Sequence, residues 1–399
     1  MKTIRKALIS ALLLFSFQQA YCLNSISDNK GYKEIQQNDS AKIVRHVSFA
    51  PYGIVNIFNN SVTACQVAAV GNISRERSSG FQCAGVFNTA NEHNGLQMGG
   101  IVNTADKVSG IQIGGILNQT SQGNCVQIAG LVNNSHCSNM SVSESQPIQI
   151  SGLINNSDRV QVQLTGIANN CPAQTELQIA GIVNHCGKSA GTQLSGVTNY
   201  CRESTGVQIS GVVNKCSILK GVQIGLVNIS DSCKGVPIGL INIVKKNGYF
   251  KLEISGDEMF YTNVGLRSGL KQIHTIVLAG LQPDNTENPL WSVGAGIGSL
   301  IPVSSKTSLG IDAMHQQVYY GHHAGENYLT KFNIGVDHEL TSGISVYFGL
   351  TYNFLFTDKD YNGFENTYDN IAPYYFTENT FFNNNVKSWA GFKLGIRLF

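Results

Sequence analysis

The chain has 399 residues, 42 of them glycine, and a net charge of +2 from 27 basic and 25 acidic side chains. Charged residues make up 13% of the sequence, about half the usual share, which excludes a disordered polyelectrolyte and does not suit an ordinary soluble α/β enzyme. The basic residues are scattered, so the chain lacks the electrostatic footprint of nucleic-acid binding, and no nucleic-acid partner is expected.

The N-terminus has the pattern of a secretory signal. A basic start, residues 1–6, precedes 11 uncharged residues at 7–17, a run too short to span a bilayer as a helix. Ala20 and Cys22 provide the small residues of a cleavage site, which predicts a signal peptide at 1–22 and a polar segment with a cap at 23–50. The alternative is a lipoprotein anchored through Cys22, which the bulky Tyr21 disfavours.

Residues 51–245 are dominated by an internal repeat of about thirteen units, best seen in G-V-Q-I-S-G-V-V-N at 206–214. A glutamine recurs mostly every 15 residues, at Gln66, Gln82, Gln97, Gln112, Gln127, Gln149, Gln163, Gln178, Gln193, Gln208 and Gln223. An asparagine follows each of them, at Asn72, Asn88, Asn103, Asn118, Asn133, Asn155, Asn169, Asn184, Asn199, Asn214 and Asn228. The regular stride indicates one structural unit stacked many times.

Each unit is a β-branched run followed by a polar turn, which predicts strands. Gln and Asn are six residues apart in most units but five apart in the last two, so an unbroken strand would turn one of them outward. A bend at Gly211 and its equivalents resolves this and predicts a β-solenoid in which Gln stacks on Gln and Asn on Asn. The alternative is an antiparallel meander with one strand per unit.

Four of the ten cysteines lie 15 residues apart, at Cys171, Cys186, Cys201 and Cys216. In a solenoid they form a column with neighbouring Cα atoms ~5 Å apart, so disulfides are predicted between Cys171 and Cys186 and between Cys201 and Cys216. A metal-binding column is the alternative, although the paired-cysteine spacing of zinc sites is absent.

Residues 246–399 carry longer alternating strands, such as 344–356, 331–340 and 390–398. Eight candidate strands, rich in aromatic residues and ending at Phe399, predict an eight-stranded antiparallel β-barrel with an apolar exterior and a polar interior, the design of a small outer-membrane barrel. The segment 250–255 is short for a spanning strand, and Phe399 falls on the polar face of its own strand. The alternative is a periplasmic or extracellular β-sandwich. The predicted fold class is therefore all-β, a solenoid followed by a barrel-like domain.

One candidate metal site stands out in the sequence. Asp358, Asp360 and Asn362 alternate before Gly363, and Asp369 closes the series at the position where a calcium loop places its last acid. Glu365 occupies a position that is usually aliphatic, and no helices are expected beside it, so a solvated loop is the alternative. No other cofactor is expected. No arrangement of catalytic side chains stands out, and we expect no enzyme.

The motifs G-V-Q-I-G-L-V-N at 221–228 and V-P-I-G-L-I-N-I-V at 236–244 resemble the surface-repeat proteins of spirochaetes and related exported proteins of Bacteroidetes-type bacteria. The resemblance covers 51–245 and implies an outer-membrane or cell-surface location, with the periplasm as the second choice. The expected function is a structural or adhesive repeat, displayed by a membrane-inserted β-domain toward an unknown surface partner. A periplasmic or outer-membrane ligand-binding protein, or a small pore, is the alternative.

Overall fold

The computed structural model describes residues 53–63, 65–136, 147–283, 289–320, 323–358, 373–381 and 384–399, with 323–326, 358, 381 and 384 described by backbone alone. Within these ranges the chain forms strands and turns, and no helix has the length and apolar character to cross a membrane. The predicted signal peptide 1–22, Cys22 and the segment 23–50 lie outside the described residues.

The repeat forms a parallel β-solenoid of about 12 turns, which confirms the predicted fold class for this part of the chain. Its strands are β1 (Gly53–Phe58), β2 (Val62–Thr63), β3 (Gln66–Ala84), β4 (Phe87–Gly99), β5 (Val102–Gly114), β6 (Leu117–Ala129), β7 (Val132–Ser135), β8 (Ile148–Ser151), β9 (Ile154–Ser157), β10 (Val162–Thr165), β11 (Ala168–Cys171), β12 (Gln174–Ala180), β13 (Val183–Ser195), β14 (Thr198–Ser204), β15 (Val207–Ser210), β16 (Val213–Leu219), β17 (Val222–Ile224), β18 (Val227–Cys233), β19 (Val236–Ile238) and β20 (Ile241–Val244). Successive coils pair in parallel, so the meander is excluded.

The coil bends at its glycine, as the spacing of Gln and Asn predicts. β15 ends before Gly211 and β16 begins after Val212, so Gln208 and Asn214 both point inward although they are six residues apart. The glycine is also needed for close stacking, because a Cβ atom at Gly211 would lie 2.3 Å from the carbonyl oxygen of Gly196 in the preceding coil. Glycine therefore serves both the bend and the tight contact between coils.

The glutamines form a continuous hydrogen-bonded ladder through the solenoid. Each side-chain Nε2 donates to the Oε1 of the glutamine one coil earlier, at distances of 2.6 to 2.9 Å, from Gln223 back to Gln66. The members are almost completely buried. Because each amide donates and accepts, a polar column is satisfied without water.

A second ladder, of asparagines, runs in the opposite direction. Each Nδ2 donates to the Oδ1 of the asparagine one coil later, at 2.8 to 3.1 Å, from Asn56 to Asn242. The second hydrogen of each Nδ2 is donated to a backbone carbonyl beside the bend of the next coil, as from Asn184 to Leu194 O at 2.7 Å. The asparagine therefore links neighbouring coils and fastens the next coil's bend.

The glutamine ladder ends where Pro237 replaces the next glutamine. Pro237 pairs with Gln223, whose Oε1 has no hydrogen-bond partner among the described residues. Val236 N donates to Gly221 O in the preceding coil, so the alternation of a strand points the nitrogen of Pro237 away from the repeat. The missing N–H of proline therefore removes no hydrogen bond between coils, which is the usual reason that proline is tolerated at the edge of a sheet.

The C-terminal part is a closed eight-stranded antiparallel barrel, so the predicted barrel is confirmed and the sandwich is excluded. Its strands are β21 (Tyr249–Asp257), β22 (Thr262–Gly269), β23 (His274–Gln282), β24 (Leu290–Pro302), β25 (Thr307–Tyr320), β26 (His323–Thr341), β27 (Ile344–Asp358) and β29 (Asn384–Leu398), with the additional strand β28 (Thr377–Phe381). β21 pairs with β29 and closes the ring.

The sequence did not predict β28, and this strand compensates for the short β21. β21 pairs with residues 393–398 of β29, and β28 pairs with residues 384–388 of the same edge. Glu258 fills the gap between them, accepting hydrogen bonds from Trp389 Nε1 at 2.9 Å and from Phe392 N at 3.1 Å. The wall is therefore continuous although one strand has only 9 residues.

The barrel has its polar side chains inside and its aliphatic ones outside, as the alternation predicts. Buried inward residues include Glu253, Arg267, Asp312, Lys331, Asn333, Asn353, Lys393 and Arg397, and exposed outward residues include Ile254, Val264, Ile297, Ile311, Phe332, Ile334, Phe348, Leu350, Phe392, Leu394 and Ile396. Phe399 follows the last strand with φ of 81° and is exposed, so it does not occupy the lumen.

The last coil of the solenoid is capped by the β22–β23 hairpin of the barrel. Asn242 N donates to Ser268 Oγ at 2.9 Å, and Asn242 Nδ2 donates to Thr275 Oγ1 at 2.9 Å. Leu270, in the hairpin turn, packs against the buried cluster that contains Cys216 and Leu219. The asparagine ladder thus continues directly into the barrel, and the open end of the repeat is covered.

Replacing Asn184 by aspartate is expected to destabilise the repeat by at least ~3 kcal/mol, because a carboxylate would face two acceptors and donate to neither. In the native chain Asn184 Nδ2 donates to Leu194 O at 2.7 Å and to Asn199 Oδ1 at 2.9 Å. Urea midpoints from pulse proteolysis of the full chain measure the change. The control Asn124→Asp makes the same substitution at an exposed position. Equal midpoints for both variants would refute a stabilising ladder.

Candidate functional site

Two rows of aliphatic side chains follow the outside of the solenoid, one on each side of the glycine bend. We name them together the apolar ridge. Its exposed members are Val67, Met98, Ile128, Ile150, Ile179, Ile209, Ile224 and Ile238 after the glutamine, and Val86, Ile116, Leu131, Leu153, Ile167, Ile182, Val197, Val212, Leu226 and Leu240 after the bend. Their exposure ranges from 36% at Met98 to 50% at Leu226.

The ridge exists because the interior positions are taken by polar amides. Gln208 points inward, so Ile209 must point outward, and the same alternation places Val212 outward after the bend. Every charged residue from Arg75 to Lys220 lies between an asparagine and the following glutamine, and Asp231 and Lys234 lie between Asn228 and Pro237, so the ridge itself is uncharged. Exposed apolar surface of this extent is common at interaction sites.

The ridge reaches the barrel at the junction. An open groove there is lined by Ile224, Leu226, Ile238 and Leu240 of the ridge and by Thr275 of β23. Val264, on the neighbouring strand β22, belongs to the exposed aliphatic wall of the barrel. The ridge therefore ends against the outer face of β23, the strand that neighbours the one carrying Val264.

Aromatic side chains lie at the other end of the barrel, away from the solenoid. Trp291 near the start of β24 stacks on Tyr319 near the end of β25, with ring centroids 4.1 Å apart. Tyr328 of β26 stacks on His315 at 5.5 Å. Large amphipathic rings at the rim of an apolar wall are typical of a barrel that faces lipid.

A charged layer fills the lumen near the solenoid. Arg267 contacts Glu253 at 2.6 Å and binds Asp312 with both guanidinium nitrogens at 2.8 and 2.6 Å. Arg397 contacts Glu253 at 2.6 Å and also pairs with Asp337, and Lys393 contacts Glu253 at 2.5 Å. Three cations thus balance three anions, which buried charges require.

An apolar layer closes the lumen at the opposite end, near the aromatic rim. Its buried members are Met259, Phe260, Leu290, Val318, Leu329, Leu355 and Trp389. The lumen is therefore filled by side chains at two levels, with a polar layer around Asn333 and Gln316 between them. Interior side chains commonly fill eight-stranded barrels in this way.

The four cysteines form the predicted column, but the predicted disulfides are not formed. Cys171, Cys186, Cys201 and Cys216 pair in register on successive coils, and all four are buried free thiols. In parallel strands the Cβ atoms of paired residues are ~4.8 Å apart and point the same way, whereas a disulfide brings its Cβ atoms to ~3.8 Å. The column is close, yet its geometry suits packed thiols.

Burial raises the pKa of Cys201 and raises the pKa of Cys216 to about 12, which disfavours the reactive thiolate at both positions. The hydrogen bond with Cys171 lowers the pKa of Cys186. The hydrogen bond between Cys171 and Cys186 is the main cause that raises the pKa of Cys171. Cys186, Cys201 and Cys216 pack with Ala190 and Leu219 in one buried cluster.

The candidate calcium loop cannot be placed. Asp360, Asn362 and Asp369 lie outside the described residues, and Asp358 is described only by its backbone, at the end of β27. Within the described part of the chain, no cluster of three or more His, Cys, Asp or Glu side chains could hold a metal ion. The calcium loop stays a prediction.

Sequence reasoning found the ladders and the cysteine column but missed the apolar ridge and the charged layer. The signal for the ridge was present, since placing Gln208 inward requires Ile209 to face outward. The charged layer gave no such signal, because Arg267 and Asp312 are 45 residues apart and meet only when the barrel closes.

In comparisons with known proteins, no protein-family model, no curated protein and no solved structure matches the chain.

His93 is expected to make the stability of the repeat depend on pH. It is buried, with Nδ1 3.0 Å from Ser78 Oγ, and burial lowers its pKa from 6.5 to about 4. Between these values the unfolded chain binds a proton that the folded chain does not, so the free energy of unfolding falls as pH falls, by up to about 3 kcal/mol. Urea midpoints at pH 7 and near pH 4 measure the loss.

The matched variant is His93→Val, since Val108 occupies the same position in the next coil. This variant is expected to lose the His93 contribution and keep only the pH dependence that other groups cause. An identical slope in both proteins would show that His93 is not held neutral by burial.

Proposed function

We propose that this chain is a non-enzymatic protein of the bacterial cell envelope, in which the barrel inserts in the outer membrane and anchors the repeat. The observation that carries the proposal is the barrel's inverted polarity, with Ile334, Leu350 and Leu394 outside and buried ion pairs inside. In water most of the aliphatic side chains of this wall would be exposed, which is unfavourable, whereas lipid solvates them.

The strand lengths support the same proposal. β24, β25, β27 and β29 have 13 to 15 residues, and β26 has 19, where about 9 to 11 residues suffice to cross the apolar part of a bilayer as a tilted strand. β21 and β22 have 9 and 8 residues, so the wall is lower on the side where the solenoid docks.

The filled lumen favours an anchor over a pore. Arg267 and Arg397 are completely buried in the charged layer, and the apolar layer around Trp389 closes the other end. A water-filled channel would leave the charged groups accessible to solvent. We therefore place the function on the outer surfaces, with the repeat as a structural or adhesive module.

The connections between strands indicate which side of the membrane holds the repeat. Each strand-to-strand connection at the end where the solenoid docks is short, namely 270–273, 303–306 and 342–343. At the opposite end 258–261 and 321–322 are also short, but 7 residues separate β23 from β24 and 18 separate β27 from β28. Outer-membrane barrels generally have short turns on the periplasmic side. The proposed location of the repeat is therefore the periplasmic face, a choice that the sequence left open between the medium and the periplasm.

Membrane insertion predicts that the protein fractionates with outer membranes and migrates faster on a gel before boiling than after. A folded barrel in detergent resists unfolding until it is heated, because its strands are closed into one hydrogen-bonded ring. Replacing Leu350 and Leu394, both on the wall, by arginine is expected to abolish membrane recovery; the pair Lys188→Glu and Gln174→Glu in the repeat is the control. Recovery in the soluble periplasmic fraction would sink the proposal.

The orientation predicts different access to two epitopes in intact cells. An antibody is expected to bind a tag inserted in 359–376 without treatment, and to bind a tag inserted in 137–146 of the repeat only after the outer membrane is permeabilised. Antibody binding to each tag in permeabilised cells is the control, because it shows that both tagged proteins are expressed. Binding of the repeat tag in untreated cells would place the repeat outside and reverse the assignment.

A further inference from the structure

We propose that the solenoid lies along the membrane surface, with the apolar ridge inserted among the lipid acyl chains beside the barrel. This inference rests on the membrane insertion proposed above, and it assigns the ridge one partner, the lipid bilayer itself. The solenoid would then act as a membrane-associated rod.

The direction of the rod follows from the residues that cap it. Arg267 and His274 point into the lumen, so their neighbours Ser268 and Thr275 point out of the barrel wall. Asn242 donates to both of these outward side chains, and the ladder from Asn228 to Asn242 to Thr275 is continuous. The coils therefore stack outward from the side of the barrel, which is parallel to the plane of a membrane that the barrel spans.

The ridge faces the membrane side of this rod. Leu240, beside the bend of the last coil, accepts a hydrogen bond through its carbonyl oxygen from Thr275 Oγ1 at 3.3 Å. Val244, four residues later, packs with Leu270 against the interior of the solenoid. Leu270 lies in the hairpin turn at the rim, and Thr275 lies further along the wall toward its middle. The bend is therefore directed toward the bilayer and the charged segments of the coils toward the rim.

The shape and chemistry of the ridge fit lipid better than a second copy of the chain. Its two rows lie on opposite sides of a bend, so a flat protein surface would cover one row and leave the other in water. Acyl chains can pack around such a convex edge. About 12 coils, each ~4.8 Å thick, give an uncharged edge roughly 55 Å long with charges on the other faces, the arrangement of an interfacial amphipathic element.

The low wall on the docking side brings the rod close to the acyl region. β22 has 8 residues, and its exposed aliphatic Val264 lies four residues, about 13 Å along the strand, from the docking residue Ser268. A rod attached at this height meets the boundary between headgroups and acyl chains, at the depth where amphipathic surfaces insert.

Tryptophan quenching tests the placement in the full chain, reconstituted into phosphatidylcholine vesicles whose lipids are brominated on the upper part of their acyl chains. Ile167→Trp places a probe on the ridge in the middle of the rod, and Gln174→Trp places one on an exposed polar position of the same coil. Native Trp291, at the aromatic rim of the barrel, reports whether the barrel has inserted. Acrylamide measures access from water.

The expected result is that brominated lipid lowers the added fluorescence of Ile167→Trp by about twofold and leaves that of Gln174→Trp unchanged. If Trp291 is quenched but Ile167→Trp responds only to acrylamide, the barrel is inserted and the ridge stands in water, which overturns this inference alone. Protection of Ile167→Trp from both quenchers would show a protein partner on the ridge and also overturn it. If Trp291 escapes brominated lipid, the proposed membrane insertion fails as well.

Discussion

The structure of the repeat depends on the requirement that a buried amide be hydrogen-bonded on both its donor and its acceptor side. Gln178 meets this by donating to Gln163 and accepting from Gln193, and every coil repeats the solution. A ladder of this kind tolerates no interruption except at its ends, which is where Pro237 occurs. The opposite sense of the asparagine ladder sets the side-chain dipoles of the two columns against each other, so the rod does not accumulate a large dipole along its length.

Filling the interior with amides has a consequence for the surface. A strand alternates its side chains, so each inward Gln208 or Asn214 places an aliphatic neighbour outside. The barrel follows the same rule with ion pairs, since inward Glu253 and Arg397 accompany outward Ile254 and Ile396. Both parts of the chain therefore bury rows of polar side chains and present aliphatic side chains to the surroundings, a shared arrangement that the proposed lipid environment would explain.

Periodicity made much of this fold predictable from the sequence. The constant stride placed Gln178 on Gln193 and Asn184 on Asn199 in advance, because matching residues in stacked coils must align. The bend at Gly211 followed from the change between five- and six-residue spacing. The predicted disulfides were wrong. The register places Cys171 and Cys186 on neighbouring coils, but it does not fix the separation and direction of their Cβ atoms. The contacts of Glu258 with Trp389 and of Arg267 with Asp312 were not predictable, since they depend on ring closure and on strand tilt rather than on any local pattern.

The junction shows why the two parts belong to one chain. A solenoid needs caps, because its last coil would otherwise expose unpaired ladder groups and the open interior. Here the barrel supplies that cap: Thr275 accepts the final asparagine donor, and Leu270 covers the cluster around Cys216. Because the capping residues sit on the outer wall of the barrel, the same contacts that complete the repeat also fix its direction. A separate capping coil would have stabilised the repeat equally well, but the linker would then have determined how the repeat is oriented. Because the wall of the barrel is the cap, the contacts that stabilise the last coil also define where the apolar ridge lies.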